Sequence, residues 1–201
     1  MGRVRYNIIL GLGSALLYLH QEWEQCVVHR DIKPSNVLLD DDFEAKLSDF
    51  GLVRRVDPGQ SSLGGTQMIG TEVYMDPICK STGRVSTASD VYSFGVLLLE
   101  MATGEKLAEV KDATELVRTV RECYDRGAVL EKADPRLNGE FDREQMERVM
   151  AVGLLCVQPQ RQDRPEIANA VKLLSVLSHS LPDPGVGNNS HSSNAAQQNS
   201  S

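Results

Sequence analysis

Two short strings hold the side chains with the most chemistry. His29-Arg30-Asp31-Ile32-Lys33-Pro34-Ser35-Asn36 puts a histidine, a carboxylate, two cations and an amide into one run, and Asp49-Phe50-Gly51 begins thirteen residues after Asn36. Carboxylate and amide oxygens are hard donors of the kind magnesium prefers. Either string alone is weak, because Asp-Phe-Gly is common by chance and His-Arg-Asp is usually a solvated turn. In this order, with two short strands between them, chance is a poor explanation.

The elements that must position these residues can be read from apolar spacing. Val4, Ile8, Leu12, Leu16 and Leu19, widened by Ile9 and Ala15, predict an amphipathic helix over residues 4–19. Asn36-Val37-Leu38-Leu39 and Phe43-Glu44-Ala45-Lys46-Leu47 predict two short strands around the acidic turn Asp40-Asp41-Asp42. Residues 51–87 hold many glycines and read as one long loop. Ser89 to Thr103 is apolar on nearly every side and predicts a fully buried helix, with Gly104 as its C-terminal cap. Further helices are expected over Thr114–Arg126 and Asp142–Val157, the latter stopped by Pro159. A last helix begins near Pro165, with Ile167, Val171, Leu174 and Leu177 or Ser178 as its stripe. From Leu181 onward nothing could form a core, which predicts a disordered polar tail over 181–201.

Together the two strings resemble the catalytic loop and metal-binding tripeptide of eukaryotic protein kinases. Gly70-Thr71 with Tyr74-Met75-Asp76-Pro77 resembles the end of an activation segment. Ser89-Asp90-Val91-Tyr92-Ser93-Phe94-Gly95 resembles the start of the central buried helix, and Asp163-Arg164-Pro165 the segment that anchors the activation segment. Arg5-Tyr6-Asn7-Ile8-Ile9, Leu17-Tyr18-Leu19-His20 and Glu22-Trp23 are similar to plant receptor-like kinases, most of all those with legume-type (L-type) lectin domains. The resemblance implies roles. Asp31 would accept the substrate hydroxyl proton, Asn36 and Asp49 would hold magnesium on the phosphates of ATP, and Lys33 would neutralise the transferring group. Thr71 would face Asp31 and the substrate hydroxyl. His29 would be a structural residue packed under Phe50, which precedes Gly51, and Asp90 would hold the catalytic-loop backbone. Arg30 would pair with a phosphorylated activation segment. Lys33 resembles the serine/threonine-specific branch. For single residues plainer readings stand beside these: Asp90 as a helix N-terminal carboxylate, Lys33 and Lys46 as solvated charges, and His20, His179 and His191 as surface residues.

The resemblance covers residues 1 to about 178 and implies an α+β, mainly α, protein-kinase-like fold. It is the C-terminal lobe, with a short β-hairpin and a long activation segment, and its N-terminal lobe is missing. Residues 1–180 would be a partial kinase domain. Only 28 residues precede His29, and they contain no lysine and no Gly-x-Gly-x-x-Gly loop. The grip on ATP is therefore incomplete, and residues 1–201 alone are expected to be inactive. At the end of the activation segment the family has Glu where this chain has Ile78, which is expected to leave Arg164 without its carboxylate.

Composition excludes other classes. Asp and Glu outnumber Lys and Arg by 28 to 21, for a net charge of −7, which argues against binding nucleic acid through bulk charge. Cys26, Cys79, Cys123 and Cys156 form no Cys-x-x-Cys pair, so zinc is not expected and free thiols in a reducing compartment are. No apolar run approaches the ~20 residues that span a bilayer. Met1 to Tyr6 carries no apolar signal region, and Tyr6 stands where myristoylation needs Ser or Thr. The chain is expected to be soluble and cytosolic, while its full-length relatives would sit in the plasma membrane with a cytoplasmic kinase domain. Its partners would be protein substrates or another kinase, with self-association through the exposed interlobe face. The alternatives are a non-catalytic pseudokinase lobe that acts as an interaction module, and an unrelated α-helical adaptor.

Overall fold

The computed structural model describes residues 2–56, 62, 70–107 and 112–175. The tail expected over 181–201, and Leu177 and Ser178, lie outside them. Six α-helices and four short strands are found among the described residues: α1 (Arg3–Leu17), β1 (Val27–Val28), β2 (Val37–Leu39), β3 (Ala45–Leu47), β4 (Arg54–Arg55), α2 (Pro77–Thr82), α3 (Thr87–Thr103), α4 (Thr114–Asp125), α5 (Arg143–Cys156) and α6 (Ile167–Ser175).

Helix α1 buries Tyr6, Ile8, Ile9, Leu12 and Leu16. Val4, expected on that stripe, is 45% exposed. At 100° per residue it lies about 140° round the helix from Ile9, off the buried face. A single π-turn, Tyr18–Glu22, continues α1, closed by Trp23 N–H on the Tyr18 carbonyl at 2.9 Å. The hairpin is as expected: β2 and β3 pair antiparallel, with Val37 opposite Leu47 and Leu39 opposite Ala45. A second ribbon was not expected. Val27-Val28 pairs antiparallel with Arg54-Arg55, giving four strands in two ribbons. Arg54 and Arg55 have no apolar alternation to mark them as a strand. The stretch 51–87 is not one loop either, for it holds β4, a 3₁₀ turn at Glu72–Tyr74 and α2.

Helix α3 is the centre of the core. Phe94, Val96, Leu98 and Leu99 are fully buried, and so are Met146, Val149, Met150, Val152 and Leu154 of α5. Gly104 ends α3 with a φ of 72°, the left-handed conformation expected of a cap glycine. Beside it the buried carboxylate of Asp134 takes Arg5 Nη1 and Arg136 Nη2, each at 2.8 Å. Arg136, with help from Arg5, holds the Asp134 carboxyl well below the usual carboxylate range.

Close approach of α3 and α5 depends on glycine. A Cβ on Gly95 would stand 2.6 Å from Cys156 Cβ and 2.9 Å from the Gly153 carbonyl oxygen. Gly95→Ala therefore forces the two backbones apart. Overpacking of this kind costs roughly 1–3 kcal/mol, against about 1 kcal/mol of helix propensity regained. Urea unfolding of the variant should show net destabilisation, and an equal or higher midpoint would show that the helices are not in backbone contact.

Candidate active site

The loop His29–Asn36, the candidate catalytic loop, is fixed from below by one carboxylate. Asp90, in the first turn of α3 and 1% exposed, takes His29 N–H on Oδ2 at 2.7 Å and Arg30 N–H on Oδ1 at 2.8 Å. His20 Nε2 lies 3.0 Å from the same Oδ2. A carboxylate only accepts here, so His20 Nε2 carries the proton. His20 was expected at the surface, but it is buried because the π-turn points it inward at Asp90. Arg30 adopts φ +79°, a conformation costly for a residue with a side chain.

That backbone turn presents Asp31 to the residues expected around it. Its Oδ1 accepts Thr71 N–H at 3.0 Å and Thr71 Oγ1 at 2.9 Å. Its Oδ2 meets Lys33 Nζ at 2.7 Å and Asn36 Nδ2 at 3.0 Å. Lys33 Nζ also donates to Thr71 Oγ1 at 2.7 Å, which closes a triangle of carboxylate, cation and hydroxyl. Burial is the largest single influence on the Asp31 carboxyl and pushes it up. Hydrogen bonds from Lys33, Thr71 and Asn36 outweigh it and hold the group below the ordinary range. Gly70 makes room for this arrangement: its φ is +136°, and a Cβ there would stand 2.9 Å from the Arg30 carbonyl oxygen.

Asn36 and Asp49 sit at the same end of the hairpin, since Ser48 N–H donates to the Asn36 carbonyl at 2.9 Å, just past the Val37–Leu47 pair. The Asn36 amide nitrogen is held by the Asp31 carbonyl at 2.8 Å as well as by its carboxylate, so its amide oxygen is left for another partner. Asp49 is exposed, with φ +60°, and one of its oxygens takes only a long contact from Gly51 N–H at 3.4 Å. These unfilled hard oxygens suit magnesium, which is usually bound by one or two carboxylates together with phosphates. Among the described residues no cluster of three or more His, Cys, Asp or Glu could hold a metal without such help. Fully buried His29 joins the two strings: its Nδ1 takes Asp31 N–H at 3.4 Å, its Nε2 faces the Ser48 carbonyl at 3.1 Å, and its ring meets Phe50 edge-on at 5.2 Å.

The activation-segment end departs from expectation. Arg164 is not left without a carboxylate by Ile78. Asp76, the N-cap of α2, supplies one: Oδ1 meets Arg164 Nη2 at 2.9 Å and Oδ2 meets Arg161 Nη2 at 2.8 Å. Sequence reasoning also missed Arg161, and Tyr74, whose hydroxyl donates to Glu100 Oε2 at 2.6 Å. Burial, and then Glu100, push the Tyr74 hydroxyl far above its usual range. A carboxylate two residues before Ile78 was the one available signal for the Asp76 pairing.

A His-Arg-Asp loop held on a buried helix and met by a threonine from a downstream segment is the arrangement that the resemblance to protein kinases implies. The family model for the protein kinase domain matches residues 3–174, and the chain belongs to that family. Among Arabidopsis thaliana proteins, L-type lectin-domain containing receptor kinase IX.1 is 50% identical over 181 residues, which is 86% of this chain and 27% of that protein. L-type lectin-domain containing receptor kinase IV.3 is 43% identical over 174 residues, 85% of this chain and 26% of that protein. Cysteine-rich receptor-like protein kinase 21 is 39% identical over 184 residues, 90% of this chain and 27% of that protein. The chain thus spans about a quarter of the length of the curated relatives it matches.

Because Asp76 already occupies the Arg164 guanidinium, Ile78→Glu in the otherwise unchanged chain adds a second carboxylate beside a satisfied pair. At half-buried position 78 the added charge loses hydration without gaining a free partner. Chemical denaturation of this variant should show no gain in stability, and a clear gain would mean that Arg164 still lacks a full partner.

Proposed function

We propose that this chain carries the catalytic half of a serine/threonine protein kinase of the receptor-like type, which transfers the γ-phosphate of ATP to a protein Ser or Thr with magnesium. The observation that carries the reading is the Asp31–Lys33–Thr71 triangle, where a hydroxyl already sits between a carboxylate and a lysine. A substrate hydroxyl approaching the same carboxylate meets an acceptor for its proton and a cation for the arriving phosphoryl group. Hydrogen bonds from Lys33, Thr71 and Asn36 hold Asp31 below the ordinary range, so it stands ready both to orient that hydroxyl and to accept its proton. Asn36 and Asp49 would hold magnesium, which when bound neutralises charge on the phosphates. Arg30 is a candidate for regulation: its buried Nε has no partner, and burial and then nearby Arg54 lower its pKa, a crowding that a phosphate on the activation segment would relieve.

The test is a hybrid in which residues 1–201 are joined to the preceding kinase segment of the 50% identical relative. The hybrid should phosphorylate Ser or Thr of myelin basic protein, and Asp31→Asn should lower the rate by roughly 10²–10⁴-fold, the usual weight of a general base. Residues 1–201 alone should show no turnover, having no lysine before Lys33 and no glycine-rich loop. A hybrid that folds and binds ATP but transfers nothing would sink the catalytic reading in favour of a non-catalytic interaction module.

One observation favours an association role in addition. Tyr18, Trp23, Leu38, Leu39, Phe43 and Phe50 are each about half exposed, and all belong to the segments flanking the catalytic loop. Large exposed apolar groups invite association with another kinase or a second copy. Light scattering of residues 1–201 at micromolar concentration should show a dimer or larger species, and a clean monomer would count against this role. The relatives are named receptor kinases, which supports placing this segment in the kinase part of a receptor. No helix of the described residues is long and apolar enough to cross a membrane.

A further inference from the structure

A cleft of about 420 Å³ opens where the π-turn that continues α1 meets the first turns of α3 and α6. Its volume lies in the range of small-molecule sites. Ala88 and Val91 of α3, with Pro165 and Ile167 at the entry to α6, give it apolar walls. His20 and Cys26 line it as well. The charged groups of the lining already have partners. Arg161 and Arg164 share the carboxylate of Asp76, at 2.8 and 2.9 Å, and Glu166 Oε2 takes Gln21 Nε2 at 3.2 Å on the exposed side. His20 is different. Its side chain is 2% exposed, and its Nε2 lies 3.0 Å from Asp90, a residue that does not line the cleft. The other ring nitrogen, Nδ1, is buried with no partner among the described residues. With the proton on Nε2, Nδ1 of the neutral ring is a bare acceptor. A buried acceptor without a donor costs free energy, so a molecule that brings a donor gains by binding there. Charge narrows the choice further. Two guanidinium groups stand against a cation. Burial, and then Asp90, push the Cys26 thiol up, so negative charge at that wall is disfavoured too.

We propose that this cleft is a binding site for a small uncharged molecule that carries a hydroxyl or N–H donor on an apolar body. The donor bonds His20 Nδ1, and the body lies against Ala88, Val91, Pro165 and Ile167. Asp90 takes both His20 Nε2 and the His29 N–H, so the ligand is linked to the His29–Asn36 loop through the imidazole and one carboxylate without touching the loop. The inference goes beyond the kinase reading and does not rest on it, since Asp31, Lys33 and Thr71 do not line the cleft.

Nitrogen NMR of residues 1–201 labelled with ¹⁵N-histidine reads the acceptor directly and needs no turnover. Phenol, one donor on an apolar ring, is the probe, and fluorobenzene, of nearly the same shape without a donor, is its control. The chain has four histidines, and His20→Gln identifies the His20 signals by their loss. If that variant does not fold, the ring is identified by its Nε2 proton, which is held on Asp90 and slow to exchange. Phenol should move the His20 Nδ1 resonance saturably toward the position of a protonated ring nitrogen, and fluorobenzene should not. At saturation phenol should also slow iodoacetamide labelling of Cys26 by about threefold or more, because the filled cleft shuts out the reagent. Benzoate and benzylammonium, with the same ring and a charge, should need roughly tenfold more ligand for the same protection. The proposal is overturned if phenol leaves Nδ1 unmoved up to its solubility limit, or if fluorobenzene moves it equally. It is overturned as well if Cys26 is not protected, or if either charged probe binds more tightly than phenol. Failure of the kinase reading would appear in the hybrid assay and leave these spectra as they are.

Discussion

Asp90 takes two consecutive backbone N–H groups of the catalytic loop and the ring N–H of His20, all within 3.0 Å. Without these donors a carboxylate at 1% exposure would cost several kcal/mol. Its place in the first turn of α3 adds the favourable field of a helix N-terminus. In return it holds Arg30 in a left-handed conformation that costs roughly 1–2 kcal/mol for a residue with a Cβ. The turn at Arg30 is what directs Asp31 toward Thr71 rather than back into the loop. Every contact of the Asp31–Lys33–Thr71 triangle therefore depends on a carboxylate that touches none of it.

The same helix carries the other anchors. Ser93 Oγ donates to the Tyr74 carbonyl at 2.7 Å and Glu100 takes the Tyr74 hydroxyl, so the segment after Thr71 is tied to α3 at two levels. The Ala88 carbonyl accepts from Arg164, which holds Asp76. At the far end Gly104 packs against Asp134, which is clamped by Arg5 and Arg136. Helix α3 is buried on nearly all sides and meets α5 closely through glycines. The His29–Asn36 loop and the Thr71–Asp76 segment are each bonded to that helix, which is how groups far apart in sequence reach hydrogen-bond precision.

What could be read from the sequence was local. The acidic turn and its apolar flanks located the hairpin, the apolar run located α3, and Gly104 located its end. The grouping of Asp31, Lys33, Asn36 and Thr71 was legible only through the resemblance to kinases. What escaped were pairings made across long stretches of chain. His20 meets Asp90 seventy residues away, and Asp76 meets Arg164 across eighty-eight. Periodicity says nothing about such partners, and a histidine in a polar turn looks the same whether it faces water or a buried acid. The ribbon of Val27-Val28 with Arg54-Arg55 escaped for a related reason. Two-residue strands show no alternation, and their pairing follows from where the catalytic loop has already been placed.

The site itself divides into a filled half and an open half, and burial draws the line. Asp31 is 6% exposed, and both its oxygens are taken by Thr71, Lys33 and Asn36, as a carboxylate in that position must be if it is to stay ionised. Asp49 is exposed and keeps its oxygens nearly unfilled. Asn36 belongs to both halves. Its amide nitrogen is spent on Asp31, and that commitment orients its oxygen for something else. On the proposed reading, a group that orients substrate would have to be held fast before substrate arrives, whereas a ligand for a hydrated cation would have to be free to exchange water for it. A loop stapled to α3 and the exposed end of a hairpin would meet both demands with residues only eighteen positions apart.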